Sequence, residues 1–237
     1  MGNLANCTNF VLTLDKTKME ETILILDFGS QYTQLIARKI RELNVYCEIY
    51  PYNKIPKLDD RFKGVVLSGS PFSVRDENSP VPDLSSIRGK FPLLGICYGA
   101  QFLAQALGGE VLPSKTREYG RAKLKFVDQN DVLFKGINLD SQVWMSHGDT
   151  ISKVPEDFTI TASTEDVEVG GFRIEKEKTF GIQFHPEVYH TFQGLDLLKN
   201  FIVDVCETSQ NWTPDSFVES TIDSIQKELG NDKVVLG

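Results

Sequence analysis

The chain has 237 residues, 41% hydrophobic and 24% charged, with a formal net charge of -8. That size and mixture allow one substantial core, or one domain with an appendage. The acidic balance, with no Lys/Arg cluster, argues against a nucleic-acid-binding surface, and no apolar run is long enough to span a membrane.

Four scattered cysteines, Cys7, Cys47, Cys97 and Cys206, form no CxxC pair and no zinc-ligand spacing. Neither a disulfide scaffold nor a metal site is indicated, and the sparsity fits a reducing, cytoplasmic compartment.

In chain order, residues 1–21 form a leader without the early positive charges or cleavage signal of a secretory peptide. Within it Phe10 to Leu14 reads as a short strand. Ile23 to Leu26 is a buried strand ending in the turn Asp27-Phe28-Gly29. Residues 31–43 carry Leu35, Ile36, Ile40 and Leu43 at helical spacing. Strands follow over 45–49, 65–67 and 93–96, and a helix continues from Gln101 to Leu107. Strands alternating with helices predict a parallel sheet with crossover helices.

After Gly109 the texture changes. Residues 122–127, 141–146, 158–163, 167–174 and 179–184 read as closely spaced strands, antiparallel additions to the same sheet. Residues 194–206 predict one helix, with Leu195, Leu198, Phe201, Ile202 and Val205 on one face. A last helix starts with Thr213 as N-cap and Pro214 in its first turn, and carries the stripe Val218, Ile222, Ile225 and Leu229. It stops at Gly230-Asn231, after which residues 233–237 open another strand. The fold class is α/β: an open, mostly parallel sheet flanked by helices, with antiparallel additions.

Gly95-Ile96-Cys97-Tyr98-Gly99 has the form of a nucleophile elbow between a strand and a helix. A tight turn there needs small neighbours and exposes the central side chain, and the following helix N-terminus favours thiolate. A buried packing cysteine would use the same residue. A cysteine nucleophile needs an imidazole and a group to orient it. The strand before His185-Pro186-Glu187 would place His185 and Glu187 on one side of extended backbone; a turn closed by Pro186 with a solvated Glu187 is the plainer alternative. Ser68-Gly69-Ser70-Pro71 follows the neighbouring strand and can aim backbone N–H groups at the site. With the amide after Cys97, it would make a two-donor oxyanion hole. Trp144-Met145-Ser146-His147-Gly148-Asp149 reads as a polar turn, with His147 either a second imidazole candidate or a loop closer.

Taken in order and spacing, these segments resemble the class I glutamine amidotransferases, and in particular the glutaminase domain of GMP synthases, over residues 22–237. Ile25 to Tyr32 is similar to that branch's opening signature, and Arg117 to Gly120 and Trp144 to Asp149 are similar to branch-specific segments. The resemblance implies a flavodoxin-like fold and hydrolysis of L-glutamine through a thioester on Cys97. It implies His185 as acid/base, Glu187 as its orienting group, and the Ser70 and Tyr98 backbone N–H groups as the oxyanion hole. Gln101, Ser146 and His147 would line the glutamine pocket. No metal or cofactor is implied for this domain.

The resemblance further implies that ammonia passes to an ATP-pyrophosphatase (synthetase) unit, in cis or as a separate subunit, which uses ATP and magnesium to aminate XMP. It divides the chain into a leader (1–21), the amidotransferase domain (22–208), and a linker helix with the start of that synthetase unit (209–237). The polypeptide alone is then expected to make no GMP. The 117–120 loop and residues 190–194 would border the interface. Three positions depart from the usual pattern: Ser70 where a second glycine is common, Phe72 where an acid is usual, and Ala100 in place of a larger apolar residue. Ser70 would be strained if the oxyanion turn required positive φ.

Overall fold

The computed structural model describes residues 20–230, with the side chains of residues 115–118 and 228 excepted. One nine-stranded sheet organises them in the order β2-β1-β3-β4-β9-β8-β7-β5-β6. Its parallel half comprises β1 (Thr22–Asp27), β2 (Tyr46–Pro51), β3 (Phe62–Leu67), β4 (Leu93–Ile96) and β9 (Thr179–Ile182). The remaining strands, β5 (Glu110–Val127), β6 (Gln142–Lys153), β7 (Phe158–Thr164) and β8 (Gly171–Ile174), extend it antiparallel.

The inner parallel strands are mostly apolar because both faces are covered, while the edge strand β2 carries the half-buried Glu48. Along β1, Ile23 and Ile25 enter one core while Leu24 and Leu26 enter the other, as alternation across a strand requires. The first core is closed by Ile36 and Ile40 of α1 (Thr33–Glu42) and Leu197 and Leu198 of α3 (Gly194–Lys199). The second is closed by Leu103 and Ala104 of α2 (Tyr98–Ala106).

The α/β reading of the sequence is thus borne out, but several elements differ. Trp144 to Asp149 is no turn: it lies inside the twelve-residue β6. Nor is 117–120 a loop, since β5 runs through it and pairs Glu118 with His147 and Tyr119 with Ser146. Polar residues and a glycine in both strands hid a pairing that only the partner strand completes. The predicted 194–206 helix is α-helical only to Lys199; Asn200–Val205 is π-helical. There the Asn200 side-chain amide donates to the carbonyls of Leu133 and Lys135, 2.9 and 2.8 Å away. The strands predicted over 167–174 and 179–184 are shorter, as β8 and β9.

The last helix, α4 (Pro214–Leu229), is as predicted at its start. Thr213 caps it, accepting from the Ser216 N–H while the Ser216 hydroxyl accepts from the Thr213 N–H. Trp212 and Phe217 fasten this segment to β2: Phe217 stacks on Tyr46 at 5.4 Å and the Trp212 N–H donates to the Asn44 carbonyl. The strands predicted over 10–14 and 233–237 lie outside the described residues. Among the described residues, no helix is long and apolar enough to cross a membrane.

Candidate active site

Four adjacent parallel strands, β1, β3, β4 and β9, end on one edge of the sheet, and the loops leaving them meet there. This is where an open α/β sheet leaves a crevice. Pairing of Ile96 with Ile182 puts Cys97 beside Gln183 and His185 two residues further along. Two segments 88 residues apart in sequence are therefore neighbours for a topological reason, β9 having been inserted next to β4.

Cys97 has φ 52° and ψ -104°, a conformation unfavourable for any residue with a Cβ, and its N–H donates to the Ile182 carbonyl at 2.8 Å. Strand β4 ends and α2 starts on either side of this single residue. The flanking glycines are required by space. A Cβ on Gly95 would lie 2.6 Å from the Gly99 carbonyl carbon, and one on Gly99 would lie 2.6 Å from Leu67 Cβ and 2.8 Å from the Leu67 oxygen. The Gly99→Ala variant is expected to lose about 2–3 kcal/mol, because a buried strand must shift to admit the methyl. Its melting temperature, followed by circular dichroism, should fall by about 5–10 °C.

His185 is buried, and its ring Nδ1–H donates to Glu187 Oε1 at 2.7 Å. Cys97 lies close enough to the ring for its sulfur to act on the charge of the imidazole, and with Nδ1 committed to Glu187 the nitrogen left for the thiol is Nε2. Burial works against charge on the imidazole, yet the Glu187 carboxylate and Cys97 sulfur outweigh it and lift the His185 pKa well above 6.5. Glu187 is 2% exposed, and its Oε2 has no hydrogen-bond partner among the described residues. Among the described residues, the hydrogen bond to that carboxylate comes from the imidazole. The solvated-Glu187 alternative is excluded by this burial.

The other described thiols differ. Burial raises the Cys47 thiol to about 11 and pushes Cys206 higher still. Neither has an imidazole beside it.

His185 is held from three sides. Its N–H donates to the Trp144 carbonyl at 3.0 Å, its carbonyl accepts from the Thr191 hydroxyl at 2.6 Å, and the Tyr32 ring meets the imidazole edge-on at 5.0 Å. None of these three partners follows from motif spacing. Gly69 was visible only as a turn residue, but its absent side chain is what the site uses: a Cβ there would sit 3.3 Å from His185 Cε1 and 3.8 Å from Cys97 Cβ. Ser70 does not have positive φ, so the strain foreseen for a serine at this position is absent.

Tyr98 begins α2 with its hydroxyl donating to the Pro80 carbonyl at 2.6 Å and its ring against Phe28. Of the three residues assigned to a glutamine pocket, Ser146 and His147 lie on β6 and Gln101 on α2, which meets β6 at this edge. The Ser146 carbonyl lies 3.9 Å from Cys97 Sγ. Gln101 is buried, and its side-chain NH2 donates to the Asp149 carbonyl at 2.8 Å, tying α2 to β6. His147 is buried with Nε2 3.4 Å from Met145 Sδ. Burial lowers its pKa to about 4, the opposite direction from His185. Among the described residues, no group of three or more His, Cys, Asp or Glu could hold a metal ion.

Over residues 24–205 the sequence matches the family model described as glutamine amidotransferase class-I. It is 63% identical over 219 residues to a Cytophaga hutchinsonii protein named GMP synthase (glutamine-hydrolyzing), covering 92% of this chain and 43% of that one. A Bacteroides fragilis protein of the same name is 58% identical over the same shares. The chain thus spans less than half the length of these curated relatives. Among solved structures, a protein described as a candidate GMP synthase subunit from Thermoplasma acidophilum is 33% identical with a TM-score of 0.67, over 88% of this chain and 98% of that one. A Thermotoga maritima glutamine amidotransferase, 21% identical with a TM-score of 0.59 over 88% and 97%, shares the fold.

Proposed function

The chain belongs to the class I glutamine amidotransferases, and on that premise we propose that it hydrolyses L-glutamine to glutamate and ammonia through a thioester on Cys97. The observation that carries this reading is the buried His185–Glu187 hydrogen bond set beside Cys97, which sits at a strained strand-to-helix turn. Cys97 gives its thiol proton to His185 Nε2 and its Sγ attacks the side-chain amide carbon, so that the carbonyl oxygen becomes an oxyanion held by the Ser70 and Tyr98 N–H groups. As the C–N bond breaks, the His185 imidazolium gives its Nε2 proton to the departing nitrogen, which leaves as ammonia. Water then attacks the thioester, losing its proton to His185, and glutamate departs with Cys97 regenerated. Glu187 holds the ring and its charge throughout. Gln101, Ser146 and His147 border the pocket for the glutamine.

The names of the relatives support a destination for the ammonia. We assign it to an ATP-pyrophosphatase (synthetase) unit that aminates XMP to GMP, with ATP and magnesium bound there rather than in this domain. The exposed rings of Phe72, Tyr119, Tyr189 and Phe192 on the catalytic edge suit such a docked unit. Residues 22–208 would form the amidotransferase domain and residues 209–237 the passage into the synthetase unit.

The test is turnover by the purified chain. Glutamine should yield equal amounts of glutamate and ammonia, while asparagine, one methylene shorter, should be turned over at least about 100-fold more slowly. Comparable release from asparagine or from short peptides would overturn the assignment.

A further inference from the structure

Resting on that glutaminase reading, we propose that the hydroxyls of Ser68 and Ser70 are positioning groups that lock the Gly69–Ser70 peptide with its N–H aimed at the oxygen of the reacting amide. Gly69 must lack a side chain to fit against His185 and Cys97, and a peptide beside glycine is the easiest in a loop to rotate. Something has to fix which of its two polar groups faces the site.

The hydrogen bonds around it supply this. The Ser68 hydroxyl donates to the Gly69 carbonyl at 2.8 Å and accepts from the Phe28 N–H at 3.0 Å. The Ser70 hydroxyl donates to the Phe28 carbonyl at 2.9 Å and accepts from the Phe72 N–H at 3.2 Å. Both backbone groups of Phe28 are thereby taken by the two serines that flank Gly69. Phe28 follows β1, which lies on the opposite side of β3 from β4. The Gly69 carbonyl is thus bonded on the β1 side. In a planar trans peptide, the Ser70 N–H then points the other way, toward Cys97 at the end of β4.

Rotating this peptide would break the Ser68 bond and turn a carbonyl, not an N–H, toward the developing oxyanion. Phe28 is itself buried, its ring stacked on Tyr52 and tilted against Tyr98. The same residue thus backs both proposed donors, Ser70 N–H through its backbone bonds to the serine hydroxyls and Tyr98 N–H through the contact of its ring with the Tyr98 ring.

The experiment compares Ser68→Ala, Ser70→Ala and Ser70→Thr with the unaltered chain. Loss of an oxyanion donor costs about 10²–10³ in kcat; a donor correctly aimed only about a tenth of the time should cost about tenfold. Each alanine variant should therefore lower kcat for glutamine about tenfold with KM within about twofold, and Ser70→Thr should recover to within about threefold. Alkylation of Cys97 by iodoacetamide, followed by peptide mapping, should change by less than about twofold, since displacement at a saturated carbon builds no oxyanion.

Unchanged kcat in both alanine variants would overturn the proposal. So would an equal fall in kcat and alkylation, which means a disturbed nucleophile instead. Hydrogen exchange over residues 68–72 reads the lock independently: it should quicken at least about tenfold in Ser68→Ala, and unchanged exchange would count against it. If the unaltered chain releases no ammonia, the glutaminase reading fails alone and this exchange result still decides the lock.

Discussion

Replacing Cys97 with alanine is expected to lower ammonia release from glutamine by at least about a thousandfold while leaving the fold in place. Removing a nucleophile abolishes the covalent route entirely, and what survives is only what binding and the oxyanion donors give to direct attack by water. Alanine retains a Cβ, so the strained φ of 52° at position 97 persists and the β4–α2 turn has no reason to relax. The melting temperature should therefore stay within about 2 °C of the unaltered chain. Peptide mapping after iodoacetamide adds a second reading. Label should appear rapidly at position 97 in the unaltered chain and slowly at Cys47 and Cys206, whose thiols burial holds protonated. A Cys97→Ala variant retaining even a tenth of the turnover would place the chemistry elsewhere.

The elbow was legible because its demands are local. A tight turn needs glycines at 95 and 99, the chain must change from strand to helix there, and all of that sits within a dozen residues. The same holds for α4, whose start is written in Thr213 and Pro214. The partnership of Cys97 with His185 was not local. It depends on β9 pairing with β4 rather than with another strand, whereas spacing alone shows a histidine and a glutamate two residues apart. The least legible part was the β5–β6 ribbon. Residues 117–120 and 144–149 look like polar loops because each strand has half of its polar groups answered by the other. The ribbon then delivers the Trp144 carbonyl to His185 and the Asp149 carbonyl to Gln101, contacts in which the side chains of Trp144 and Asp149 play no part. Motif reading follows side chains and is blind to backbone groups of this kind. The exchange of roles at Ser70 has the same origin: its hydroxyl, not its φ, is what distinguishes it from glycine.

Glu187→Gln should separate the shape of the His185 partnership from its charge. The amide oxygen can still accept from Nδ1–H at the 2.7 Å the carboxylate uses, so the ring keeps its orientation. Its counter-charge is lost, and burial, the largest influence on this imidazole, then drives its pKa down. Turnover of glutamine should fall about 10²–10⁴-fold, chiefly in kcat, since a neutral orienting group cannot stabilise the imidazolium on which ammonia departure depends. The sign of the pH effect follows from the raised pKa. In the unaltered chain the folded protein holds the His185 proton more tightly than the unfolded one, whose value is 6.5. The stabilisation this gives is complete below pH 6.5 and drains away as pH rises through the folded value. The stability advantage over Glu187→Gln, measured by urea unfolding, should thus be larger at pH 6 than at pH 9. Cys97 alkylation should show the matching change, with its dependence on the His185 proton displaced to lower pH in the variant. A variant with unaltered kcat and an unmoved alkylation profile would mean that Glu187 serves packing alone. Its burial with one oxygen answered only by the imidazole argues for the opposite result.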